Sequence, residues 1–76
     1  MVTVEILLNT MKDVKNFVAI SGKYPFDIDL ISGRYVVDAK SVMGILSLDL
    51  AKTICVEIHS DKCNDFIAEI KPFIIH

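Results

Sequence analysis

The sequence predicts an α+β fold, an open-faced β-sandwich. Three observations predict it. Four short segments alternate apolar and polar residues with a period of two, and three others repeat apolar residues at helical spacing. Each strand segment has one apolar and one mixed face, so its sheet needs cover on one side only. The chain has 76 residues, 53% of them hydrophobic, which fits a single domain over residues 1–76 with one core. A chain of this length has an expected stability of about 4–11 kcal/mol.

The elements follow in the order βαββαβα. Val2, Val4, Ile6 and Leu8 alternate with Thr3, Glu5 and Leu7 as a first strand. Met11, Val14, Phe17, Val18 and Ser21 then share one helical face, with Lys12, Lys15 and Asn16 opposite. Thr10 is placed to cap this helix with Asp13 three residues on, and Gly22 to end it in a left-handed conformation. Phe26, Ile28 and Leu30 alternate with Asp27 and Asp29; a turn at Ser32-Gly33 leads to Tyr35–Asp38, completing a hairpin.

Ser41 caps a short apolar helix, in which Val42 and Ile45 face the sheet while Met43 and Leu46 face water. Ile54, Val56 and Ile58 alternate with Cys55, Glu57 and His59 in a fourth strand. A last helix, capped by Ser60 or Asp61, turns Phe66, Ile67, Ile70 and Ile74 inward, and Pro72 ends it near Lys71.

Charge excludes one class of function. Eight basic residues face ten acidic ones, and Arg34 is the single arginine, so no basic stripe exists to neutralise nucleic-acid phosphates. No apolar run approaches the roughly 20 residues of a membrane span. No charged-then-apolar signal pattern is seen, and a cytoplasmic location is expected. Cys55 and Cys63, with His59 between them, fit no common zinc pattern and read as free thiols.

The segment Lys40-Ser41-Val42-Met43-Gly44, running into Ile45-Leu46-Ser47-Leu48, resembles the HPr family, phosphocarriers of the bacterial sugar phosphotransferase system. That family has a Lys-Ser-(Ile/Val)-Met-Gly segment with an apolar tail ending in Ser-Leu at the start of its second helix. The upstream Ser21–Leu30 segment, SGKYPFDIDL, is similar to the family's approach to its second strand. The resemblance implies a four-stranded antiparallel sheet of order 1-4-2-3 with three helices on one face.

The departure is at the first helix. The family begins it with Gly-x-His-Ala-Arg-Pro, whose histidine carries the phosphoryl group. Counting back from Ser41 without gaps places Thr10 at the histidine, Lys12 at the arginine and Asp13 at the proline. The other histidines are His59 and His76. The resemblance thus implies an HPr-like domain without histidyl phosphotransfer, not an enzyme, with no catalytic residue, cofactor or metal.

The implied role is regulatory or protein-interacting. Ser41 matches the serine that a dedicated kinase phosphorylates in some members, whose product binds a transcription regulator. The partners implied are such a kinase and regulator, or phosphotransferase-system components. The partner surface is expected at Met43, Ile45, Leu46 and Ser47. Thr10 and Lys12, at a helix N-terminus, form a candidate anion-binding spot, although a plain cap explains Thr10 and Asp13 without a ligand. Two alternatives stay open: a phosphocarrier using another residue, His59, or a small ligand- or metal-binding protein. The latter would use the outward Glu5, Asp27, Asp29, Glu57 and His59, with Glu5, Glu57 and Asp27 side by side across the strands. A hydrated acidic face is the plainer reading.

Overall fold

The computed structural model describes residues 1–75; His76 lies outside them. Four strands, β1 (Val2–Ile6), β2 (Ile28–Ser32), β3 (Tyr35–Asp38) and β4 (Ile54–Ile58), alternate with helices α1 (Met11–Ser21), α2 (Val42–Leu46) and α3 (Asn64–Ile70). A 3₁₀ turn, Lys71–Phe73, follows α3. The sheet is antiparallel with order β1-β4-β2-β3, the expected arrangement.

Strand periodicity sets the two faces. Ile6, Ile28, Leu30, Ile54, Val56 and Ile58 are all buried on the helix side. Against them pack Val14 and Phe17 of α1, Ile45 of α2, and Phe66 and Ile70 of α3. Each such side chain contributes about 1.5–3 kcal/mol by leaving water. Phe17 meets Phe66 and Phe73 edge-on, with ring centroids 6.2 and 5.9 Å away. Ser21, polar yet wholly buried on the inner face of α1, donates its hydroxyl to the Phe17 carbonyl at 2.8 Å, so its burial leaves no group unpaired.

Two local expectations change. Gly22 ends α1 with φ −66°, not in the left-handed region. Lys23 and Tyr24 instead donate to Ile20 and Ser21 carbonyls at 3.1 and 3.2 Å, so i→i+3 bonds tighten the last turn and satisfy its carbonyls. The one glycine that needs positive φ is Gly33, at +59° in the β2–β3 turn. Arg34 beside it has negative φ, the combination of a type II′ hairpin turn. Finally, neither Ser60 nor Asp61 caps α3. Cys63 occupies the cap without a side-chain bond, because Ser60 Oγ accepts from the Lys62 amide at 3.0 Å and closes a turn of its own.

The chain after α3 returns to the sheet. Ile74 bridges to Ile6, the Leu7 amide donates to the Phe73 carbonyl, and the Ile75 amide donates to the Glu5 carbonyl, both at 2.9 Å. This holds Leu7–Thr10 as they lead into α1.

Candidate functional site

The start of α1 is a closed cap. Thr10 has extended backbone (φ −133°) and its Oγ1 accepts the Asp13 amide at 3.1 Å. The Asp13 carboxylate reaches back to the Asn9 amide, also at 3.1 Å. The two side chains therefore satisfy each other's turn. Lys12 is exposed in the same turn, and the Met11 and Lys12 amides are left as the helix's free donors. Asp13 places a negative charge where an anion would approach.

The start of α2 repeats the device. Ser41 is extended (φ −112°), and its Oγ accepts the Gly44 amide at 3.1 Å. The Ser47 hydroxyl closes the other end on the Gly44 carbonyl. Lys40, just before the cap, donates its ammonium to the Tyr24 and Phe26 carbonyls at 2.8 and 3.0 Å. This ties the entrance of α2 to the loop that follows α1. Met43 is 78% and Leu46 38% exposed, whereas Ile45 is 0% exposed. Ile45 is a core residue, contrary to its place in the expected partner surface, because a five-residue helix lying on the sheet turns the position after Gly44 straight inward. The outward surface consists of Met43, Leu46 and Ser47.

Gly44 faces β3 at close range. A Cβ there would lie 3.2 Å from the Val37 Cβ and 3.3 Å from Ser41 Oγ. The glycine allows α2 to approach β3, so it is a packing residue.

The water-facing side of the sheet carries the acidic cluster, with a register different from the expected one. Glu57 lies opposite Thr3 on β1 and Asp29 on β2, and Asp29 lies opposite Asp38 on β3. Glu5 lies opposite Cys55. The expected trio Glu5, Glu57 and Asp27 is thus not one row; Asp29 takes the place of Asp27 beside Glu57, and Glu5 sits one row away. His59 Nε2 is 3.0 Å from Asp29 Oδ2, and one ligand atom each of Asp29, Glu57 and His59 lies within 4.8 Å of the others. A cleft of about 330 Å³ lined by Asp27, Ile28, Asp29, Asp38 and His59 opens beside them.

His59 is far from the start of α1. Ile6 pairs with Ile54 at the Thr10 end of the sheet, while Val2 pairs with Ile58 at the His59 end. A strand of this length separates them by about 15 Å or more. Burial, together with Glu57 and Glu5, pushes the Cys55 thiol above its ordinary value. Cys63 is buried and unpaired.

A further polar group was not visible in the spacing. Glu69 of α3 takes a hydrogen bond from the Tyr24 hydroxyl and one from Lys23. These partners lie more than 40 residues away in sequence, so only the fold brings them together. The bonds to Lys23 and Tyr24 hold the Glu69 carboxyl below its usual value, and the bond to Glu69 pushes the Tyr24 phenol up to about 12.

The family model described as the PTS HPr component phosphorylation site matches residues 11–74. The chain belongs to the HPr family. Its fold is similar to that of HPr-C-His from Thermoanaerobacter tengcongensis, with a TM-score of 0.79 at 23% identity over 95% of this chain and 89% of that one. It is likewise similar to the phosphocarrier protein HPr from Bacillus anthracis str. Ames, with a TM-score of 0.73 at 19% identity, covering 97% and 96%. At these identities the likeness is one of fold. No curated protein matches the chain. Among the described residues, no helix is long and apolar enough to cross a membrane.

Proposed function

We propose that this HPr-family chain is a docking and regulatory domain that does not carry histidyl phosphate. One observation carries the reading. Thr10, which the resemblance places at the family's histidine, has its hydroxyl engaged as the N-cap of α1. Reversible phosphoryl carriage needs a nitrogen nucleophile that titrates near neutrality, and a capping threonine is not one.

The segment around Ser41 supports the regulatory half. The serine is only partly buried at the start of α2, where a phosphate would meet backbone amides and the positive end of the helix. Met43 and Leu46 stand exposed beside it, apolar and adaptable as docking residues are. The partners proposed are a serine kinase and a transcription regulator, or components of the phosphotransferase system. Thr10 and Lys12 are proposed as the weaker anion contact.

Incubation with phosphoenolpyruvate and the first enzyme of the phosphotransferase system is expected to leave the chain without acid-labile phosphate. Labelling would refute the reading, and its loss in His59→Ala would assign the carrier to His59. Incubation with the family's serine kinase is expected to add one phosphate, absent in Ser41→Ala; an unmodified chain would remove the regulatory half.

A second reading is favoured by the convergence of Asp29, Glu57 and His59, a donor set suited to a divalent cation. A rise in melting temperature with added divalent cation, lost in Asp29→Asn, would support it; an unchanged temperature would dismiss it.

A further inference from the structure

The two edges of the sheet are finished differently. On β1, the amides of Thr3, Glu5 and Leu7 point outward, and the returning chain takes the Glu5 carbonyl and the Leu7 amide. On β3, the Ser41 amide donates to the Asp38 carbonyl at 3.0 Å, and among the described residues the Arg34 and Val36 edge groups are left open. The Ala39 amide donates to the Ile28 carbonyl at 2.9 Å, so by strand alternation Tyr35, Val37 and Ala39 turn their amides toward β2. Arg34, Val36 and Asp38 turn theirs to the free edge. Tyr35 is 65% and Val36 61% exposed there.

Natural sheets blunt such an edge with lysine, proline or a bulge. β3 has none of these and is limited only by its length of four residues. Its charges sit at the two ends and are opposite in sign: Arg34 before the strand and Asp38 at its close.

We propose that this edge pairs with a second copy of the chain, β3 against β3 antiparallel about a twofold axis through Val36. Only registers that oppose outward-pointing amides can form bonds. Among them, the one centred on Val36 sets each Arg34 opposite Asp38 of the second copy. The two Val36 residues exchange N–H to C=O bonds, and Tyr35 lies opposite Val37. Shifting by two residues in either direction loses both Arg–Asp pairings, and a parallel in-register arrangement sets like charges together.

The water-facing side provides an independent observation. Val36 lies opposite Ile31, and Ile31 opposite Cys55, so an apolar row runs across this otherwise acidic face and stops at the free edge. Pairing joins the two rows into one.

The interface is short, below the roughly 1,200 Å² total of stable complexes, so the dimer forms with rising concentration. Sedimentation equilibrium from about 20 µM to about 1 mM is expected to show the apparent mass climbing from 8.5 kDa toward twice that value. Val36→Pro removes an amide that points away from β2, and is expected to keep the circular-dichroism spectrum while remaining monomeric. Arg34→Glu is expected to weaken association roughly tenfold or more, and Arg34→Lys to retain it. A wild type monomeric at the highest concentration would overturn the proposal. A dimer undiminished by both Val36→Pro and Arg34→Glu would also overturn it, by placing the contact elsewhere.

Discussion

Glu69 and Tyr24 are joined carboxylate to hydroxyl, and this bond fastens the loop after α1 to α3. Lys23 makes a second attachment to the same carboxylate. Both ionisations are displaced from their ordinary values, so the junction has a definite pH signature.

On the alkaline side, the neutral phenol is the bonded form in the fold, and the unfolded tyrosine titrates near 10. The contribution of Tyr24 is therefore full below pH 10 and is lost as pH rises toward about 12. An ultraviolet titration of phenolate is expected to show a late component near that value, absent in Tyr24→Phe.

On the acid side, the Glu69 carboxyl is depressed, so its contribution is present above its ordinary titration range and lost as pH falls through the folded value. Melting temperature is expected to fall with acid more steeply in wild type than in Glu69→Gln. Equal slopes would mean that the bond contributes nothing.

The two helix caps predict matched losses. Thr10→Ala and Ser41→Ala each remove the acceptor of a capped amide, and each is expected to cost about 1 kcal/mol in urea unfolding. Thr10→Ser and Ser41→Thr keep the oxygen and should cost less. A loss much above this at Ser41 would reveal a structural role beyond the cap.

Neighbouring positions in α2 should differ sharply. Ile45 is fully buried and Met43 is 78% exposed. Ile45→Ala is expected to cost about 2–5 kcal/mol, and Met43→Ala to stay within about 0.5 kcal/mol. The same Met43 variant is the clean reagent for partner binding.

Gly44→Ala tests the approach of α2 to β3. Alanine is favoured over glycine by up to about 1 kcal/mol inside a helix, but its Cβ would press on Val37 and Ser41. Stability is expected to stay level or fall. A gain of the full propensity difference would show that the helix can move off the strand.

Much of this architecture was legible because its cause is local. Alternation alone placed Val2, Ile28, Val56 and their row-mates on the buried side, and the Thr10 and Ser41 caps follow from residue type and position. Register is not local. Parity told that Glu5, Asp27, Asp29 and Glu57 face water, yet which of them are neighbours depends on strand pairing, and the observed row sets Asp29 beside Glu57. Ile45 was legible as inward-facing by period, but its place within an apolar helix also suggested a surface role. The Glu69 junction and the Lys40 tether connect distant segments and leave no trace in spacing.

The short return of Phe73–Ile75 along β1 bears on how far the proposed edge pairing can extend. A sheet with one open border pairs once and is then closed by symmetry; a sheet with two can add copies without end. In the proposed pairing, Phe73–Ile75 occupy the Glu5 carbonyl and the Leu7 amide, so a further copy has no groups to pair with at that end of β1. Under that proposal, the same three residues that steady the entry to α1 also limit the number of copies that can add at this end.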